Sequence, residues 1–184
     1  MTRKRHEDYS NMVQRLYASA DISANHALCR NITFQVTSGC NLRCSYCYEH
    51  HKGTERMSIE TGRKIVDYLL DLYEQGDSDF INRSTRAVVL DFIGGEPLLE
   101  AELIERVCGY WFSECYRRSI PLAPFTRISF ATNGKLWFSP EAQHLFDKYH
   151  EMMSVTISID GVQELHDKYR VDAVSYTHLT LPTN

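Results

Sequence analysis

Apolar and polar positions change rhythm several times along the chain, and each change marks an element. Asn31 to Thr37 alternates apolar and polar residues with β-branched side chains among them, which predicts a strand running directly into Ser38-Gly39. From about Ser58 to Glu74 the apolar positions Ile65, Val66, Leu69, Leu70 and Tyr73 follow helical spacing. Ser58 is a good N-cap there, although Ser58 with Thr61 lacks the full capping-box pattern. Gly76 to Ser84 is a polar loop. Arg86 to Ile93 contains the nearly continuous apolar run AVVLDFI, which predicts a strand buried on both faces. A helix over roughly 98–118 follows, and Pro121 and Pro124 break the chain after it. Arg127 to Thr132 reads as a third strand, Ser139-Pro140-Glu141 as the start of another helix, and Met153 to Ile159 as a fourth strand before a last helix near Val162.

Strands and helices thus alternate four times. That rhythm predicts an α/β fold with a parallel sheet and right-handed crossovers. Each strand also ends in a polar or glycine-containing motif: Ser38-Gly39 and a cysteine cluster, Gly94-Gly95-Glu96-Pro97, Asn133-Gly134, and Asp160-Gly161. In barrels of parallel strands the chemistry sits at the C-terminal strand ends, so these four motifs are expected to converge on one face. Residues 1–30 are polar with weak helical signals, such as MVQRLYA at 12–18, and read as a peripheral extension.

The chain has 184 residues, 43% of them hydrophobic, enough for one packed domain. Its net charge is −4 with acids and bases mixed, which does not suggest a nucleic-acid surface; the basic start MTRKR reads as a solvated tail. No run of ~18 apolar residues predicts a membrane span, and no apolar signal-peptide core is visible, so a cytoplasmic setting is expected. In a reducing cytoplasm the tight set Cys40, Cys44 and Cys47 reads as metal ligands rather than disulfide partners. Cys108 and Cys115 share a helical spacing and read as buried structural thiols, while Cys29 has no motif around it.

The spacing C-x3-C-x2-C offers three thiolates, which suits a cubane cluster that keeps one iron free of protein ligands. With His50 as a fourth ligand, the same stretch suits a structural zinc ion, and on spacing alone both readings stand. Gly94 and Gly95 let the backbone approach a ligand closely, and Glu96 has the chemistry to accept hydrogen bonds from an ammonium group. Asn133-Gly134 is either a simple left-handed turn or a part of the site. Arg170 is either a bidentate carboxylate binder or one half of a surface salt bridge.

Taken together, the three cysteines with Tyr46 before the third, the GGEP run, Thr132-Asn133-Gly134, and Ser158-Ile-Asp160-Gly161 followed by His166-Asp167 and Arg170 resemble the radical S-adenosylmethionine (SAM) superfamily. The resemblance implies the N-terminal portion of a partial (β/α)6 TIM-like barrel, with about four βα units present over residues 31–172. It implies a [4Fe-4S] cluster on Cys40, Cys44 and Cys47, with SAM on the fourth iron and an electron supplied by a flavodoxin or ferredoxin. By the same resemblance Tyr46 lies near the adenine, and Gly94, Gly95, Glu96 and Pro97 form the segment that meets SAM's amino group. Asn133 lies near SAM or substrate, Ser158 and Asp160 belong to the segment that meets the ribose, and Arg170 pairs with the SAM carboxylate. These are cofactor-binding candidates, and no catalytic residue is identified.

The phrases FQVTSGCNLRCSYCYE and VTISIDGVQELHDKYR are similar to the branch of anaerobic sulfatase maturases and peptide maturases with a SPASM-type C-terminal domain. Within it, the wording resembles maturases of peptides with C-x-x-x repeats, implying a ribosomally made peptide or protein substrate and a thioether product. Residues 173–184, AVSYTHLTLPTN, break the pattern and read as a non-native tail. The chain is therefore expected to be incomplete and inactive alone. The rival reading is a non-catalytic metal-binding module, which would have no use for Glu96, Ser158 and Arg170.

Overall fold

The computed structural model describes residues 3–19, 29–50 and 52–173. Four parallel strands, β1 (Cys29–Thr37), β2 (Ala87–Gly94), β3 (Thr126–Thr132) and β4 (Met153–Ile157), lie in the order β1-β2-β3-β4. Helix α1 (Arg3–Ser19) precedes them; α2 (Ile59–Gln75), α3 (Ala101–Arg117) and α4 (Pro140–Tyr149) connect them, and α5 (Gln163–Tyr169) follows β4. This is the α/β arrangement that the alternation predicts. The expected non-native tail lies, apart from Ala173, outside the described residues, as does the end of the extension from residue 20 to residue 28.

Local chemistry accounts for the element boundaries. The Ser58 hydroxyl accepts from the Thr61 amide at the start of α2, and Gly76 closes that helix in the left-handed conformation at φ 81°. Ser139 caps α4 in the same way, with Pro140 in its first turn. The expected helix over 98–118 begins as a 3-10 turn, Pro97–Glu100, before it becomes α3. The extension is a helix from Arg3, longer than its weak periodicity suggests, and Tyr9 docks it with its ring tilted against that of Tyr116 at 5.2 Å and its hydroxyl donating to the Ile120 carbonyl.

The core lies between one face of the sheet and helices α2, α3 and α4. Phe34, Leu90, Phe92, Ile128 and Phe130 from the strands meet Val66, Leu70, Ile104, Val107, Trp111 and Leu145 from the helices, all almost fully buried. Cys108 and Cys115 belong to this core, as structural thiols should. Helices α2 and α3 approach closely at Gly62, where a Cβ would stand 2.6 Å from the Val107 side chain.

Two expectations change. β2 is buried on one face only: Val88, Leu90 and Phe92 are inaccessible, while Ile93 is 39% exposed. The opposite face carries Thr33, Asp91 and Ser129 in register across three strands, and Thr33 bonds to Asp91. The sequence run looks two-sided because Val89 and Ile93 are apolar on this more open face. β4 ends at Ile157 rather than Ile159: the Ser158 amide makes one more bond, to the Thr132 carbonyl, before the chain turns away through Asp160 and Gly161.

Candidate functional site

The strand ends meet at the loop that leaves β1. The Thr37 carbonyl accepts from the Gly95 amide at 3.1 Å, and the Gly39 carbonyl accepts from the Glu96 amide at 2.9 Å. The GGEP backbone therefore lies directly on the start of the cysteine loop. A Cβ on Gly94 would stand 2.5 Å from the Thr37 carbonyl oxygen, and one on Gly95 2.3 Å from that of Gly39 and 2.9 Å from the Cys40 Cβ. What the missing side chains admit here is the chain's own cysteine loop.

Glu96 is 1% exposed, and both carboxylate oxygens are engaged. Oε1 accepts from the Leu98 amide at 3.0 Å and the Thr132 hydroxyl at 2.6 Å, and Oε2 accepts from the Asn133 amide at 2.8 Å. Burial pushes its carboxyl above the usual range, against these three donors, which favour the ionised form. The result is a staple between the ends of β2 and β3, with Pro97 buried beside it. The staple fixes the Asn133-Gly134 turn, left-handed at Gly134 with φ 79°. The Asn133 side-chain amide donates to Asn41 Oδ1 at 2.8 Å and lies 3.9 Å from the Cys40 sulfur. The turn is thus both the tight bend that Asn-Gly favours and a direct neighbour of the cysteine loop.

Cys40, Cys44 and Cys47 are each partly exposed, and none is in a disulfide. The buried Leu42 anchors the loop between the first two, Lys52 donates to the Leu42 carbonyl, and the Cys47 amide closes a turn on the Cys44 carbonyl at 3.1 Å. Burial pushes the Cys44 thiol up; Arg170 and Lys52 pull it down, and Cys40 and Cys47 push it up. His50 is exposed, and among the described residues no three of His, Cys, Asp or Glu are gathered closely enough to hold a single metal ion. Three unbridged thiols on one loop are the donor set that a cluster with an open iron requires.

The fourth strand end closes over the same loop. Asp160 accepts two bonds from Arg170, at 3.0 and 2.9 Å, and a third from the Tyr46 hydroxyl. The Arg170 guanidinium lies 5.5 Å from the centre of the Tyr46 ring. Its side chain is 14% exposed, so this is not a surface salt bridge; two of its N–H groups are committed within the site. Ser158, partly exposed, stands at the end of β4 with its amide on Thr132. Asn41, Thr132 and Lys52 belong to this site but stand out by no spacing of their own; Asn41 and Thr132 fall inside recognisable motifs, and Lys52 does not.

The geometry defines a class of protein: a parallel α/β domain whose strand ends present a three-thiol loop beside an acidic and an amide group. Residues 34–177 match the Radical SAM superfamily, and the chain belongs to that family. It is 30% identical over 142 residues to an uncharacterised protein of Methanocaldococcus jannaschii, covering 77% of this chain and 42% of that one. It is 30% identical over 138 residues to the cysteine-type anaerobic sulfatase-maturating enzyme of Clostridium novyi, covering 75% and 34%. Its fold is similar to the solved structure of native anSMEcpe with bound AdoMet and Cp18Cys peptide, with TM-score 0.58, 25% identity, and coverage of 79% of this chain and 35% of that one. The chain spans less than half the length of these relatives. No helix among the described residues is long and apolar enough to cross a membrane.

Proposed function

We propose that Cys40, Cys44 and Cys47 hold a [4Fe-4S] cluster, that SAM binds across the ends of β2, β3 and β4, and that the protein modifies a peptide or protein in the cytoplasm. When bound, these groups supply the chemistry of the family: an electron cleaves SAM to methionine and a 5′-deoxyadenosyl radical that takes a hydrogen from the substrate. The observation that carries this reading is that the loop of three unbridged thiols lies against Glu96 and Asn133 at the ends of β2 and β3 and against the Asp160–Arg170 pair that follows β4. Zinc binding alone gives no reason for that convergence.

The residues then divide by chemistry. The thiols are the metal ligands, and Asn133 orients the loop that bears Cys40 through Asn41. Three of the roughly four acceptor positions of the Glu96 carboxylate hold the chain's own donors, and the remaining one, on Oε2, is the one an ammonium group would use. The ring of Tyr46, 53% exposed, offers a face for an adenine, and Gly94, Gly95 and Pro97 shape the floor. Residues 31–172 form the cofactor-binding core. A peptide substrate is supported by the sulfatase-maturating relative and by the peptide-bound neighbour; a flavodoxin or ferredoxin would supply the electron.

The test is anaerobic reconstitution with iron and sulfide, followed by metal analysis and EPR with and without SAM. About four irons with matching sulfide, absorbance near roughly 400 nm, and a reduced signal that changes on SAM addition are expected. One zinc per chain without sulfide, dependent on His50, would overturn the reading. Glu96→Gln is the informative variant: it keeps an oxygen for the Leu98 and Thr132 donors and turns its NH2 group toward the Asn133 amide alone, whereas Glu96→Ala would strip partners from all three buried donors. It should weaken SAM binding while iron content stays unchanged.

A further inference from the structure

The cysteine loop is held from a part of the chain more than a hundred residues away. The Arg43 amide donates to the Val171 carbonyl at 2.8 Å, the Ser45 amide to Tyr169 at 3.0 Å, and the Ala173 amide to Asn41 at 3.0 Å. Leu42 and Asp172 form an antiparallel bridge at the centre. Residues 169–173 therefore run along the loop that carries all three thiols. Side chains tie the two segments together. Asp160 takes both arms of the Arg170 fork and the hydroxyl of Tyr46, which sits between Cys44 and Cys47. Tyr46 also meets Tyr169 edge-on at 6.2 Å, and Lys135 pairs with Asp172. Asp160 is itself placed by its own amide, which donates to Nδ1 of the buried His166 at 3.4 Å.

We infer that Asp160 is a positioning residue that clasps segment 169–173 onto the cysteine loop, and that this clasp sets the loop geometry in which the three thiols accept a cluster. A carboxylate suits the task because it only accepts: two oxygens take three donors here. An asparagine would turn an NH2 group toward the guanidinium or the phenol, so at least one bond is lost and a donor is left facing a donor. The alternative is that the buried Leu42 alone fixes the loop, in which case Asp160 is dispensable. The second half of the inference rests on the cluster reading above; the first half does not.

Amide hydrogen exchange of the metal-free 184-residue chain separates these. In Asp160→Asn the Arg43 and Ser45 amides should exchange roughly tenfold faster, while the β2 amides are unchanged, the signature of local opening. Asp160→Glu should recover part of the protection. Tyr46→Phe, which removes one hydroxyl, should show a smaller increase and serves if Asp160→Asn fails to fold. Unchanged exchange at Arg43 and Ser45 in both variants would overturn the clasp. After reconstitution, Asp160→Asn should lose its absorbance to a chelator several-fold faster than wild type. Equal rates with a loosened loop would overturn the link to cluster retention. If wild type itself takes up no iron and sulfide, the cluster reading and the link to retention fall together, and the exchange result alone then decides the clasp.

Discussion

Arg118 and Arg170 are almost equally buried, at 11% and 14% side-chain exposure, and both end on carboxylates, yet they hold different kinds of structure. Arg118, just beyond α3, reaches Asp67, Asp71 and Glu74 on α2 and Glu114 on its own helix. The two helices it links are already packed through Val66, Leu70, Ile104 and Val107. Among the described residues Arg170 has a single carboxylate partner, and its neighbourhood displays Ile157, Ile159, Val162 and Leu165 to solvent, each at least 41% exposed. In the first region apolar packing sets the geometry and the ions reinforce it. In the second, few buried side chains share the task, so the ion pair and a few backbone bonds carry the arrangement.

The largest expected effect tests a third way of fixing the site, by backbone contact. In Gly95→Ala the new Cβ meets the Gly39 carbonyl oxygen at 2.3 Å, a backbone atom with little room to yield. Overpacking of this kind costs about 3 kcal/mol. A denaturant melt should show that loss, and reconstitution should show reduced iron uptake, because the displaced strand is the entry to the cysteine loop. Near-wild-type stability and iron content would mean that β2 and the loop are less tightly joined than their contacts imply.

Arg118→Ala comes next. It leaves the buried Glu114 with Arg117 as a partner and three half-exposed acids on α2 facing each other. Breaking a fully buried pair would cost more, but solvent screens the three α2 acids, so the expected loss is about 2 kcal/mol. The contrast with Arg170 lies in where the loss registers. Equilibrium unfolding should shift, while Arg43 and Ser45 amide exchange under native conditions should keep its pattern. Selective loosening of those two amides would show that the two arginine networks are coupled, and the distinction between them would fail.

The same contrast explains what was legible in the sequence. Local signals were sufficient where local chemistry decides: Ser58, Gly76 and Ser139 mark helix ends, and four turn motifs mark strand ends in the order and on the face expected. The one-sided burial of β2 was hidden because Val89 and Ile93 are apolar on the open face. The glycine pair could be recognised from its motif, but that Gly95 faces Gly39 is a fact of strand pairing. Arg170 stood out as a guanidinium in search of a carboxylate, yet its partner here, Asp160, lies across a turn and a helix. The pairing of residues 169–173 with the loop at 41–45 depends on sheet order and has no sequence period to reveal it.

Acid should separate the two networks most finely. The Arg170 fork holds the Asp160 carboxyl below the usual range against the opposing effect of burial, and the Tyr46 hydroxyl adds to the lowering. A carboxyl whose folded pKa is depressed contributes stability above its unfolded value, about 3.9 for aspartate, and loses it as the pH falls through the folded value. The clasp should therefore stay closed from neutral pH to about pH 4 and open only below that. Arg43 and Ser45 exchange, corrected for the intrinsic pH dependence of amide exchange and referenced to β2 amides, should be flat over that range and rise beneath it. Glu114, held low first by Arg117, also titrates there, so a parallel rise at the β2 amides would signal global acid unfolding instead. A rise confined to Arg43 and Ser45 already near roughly pH 6 would place control on a group other than this carboxylate and would remove Asp160 from its central place.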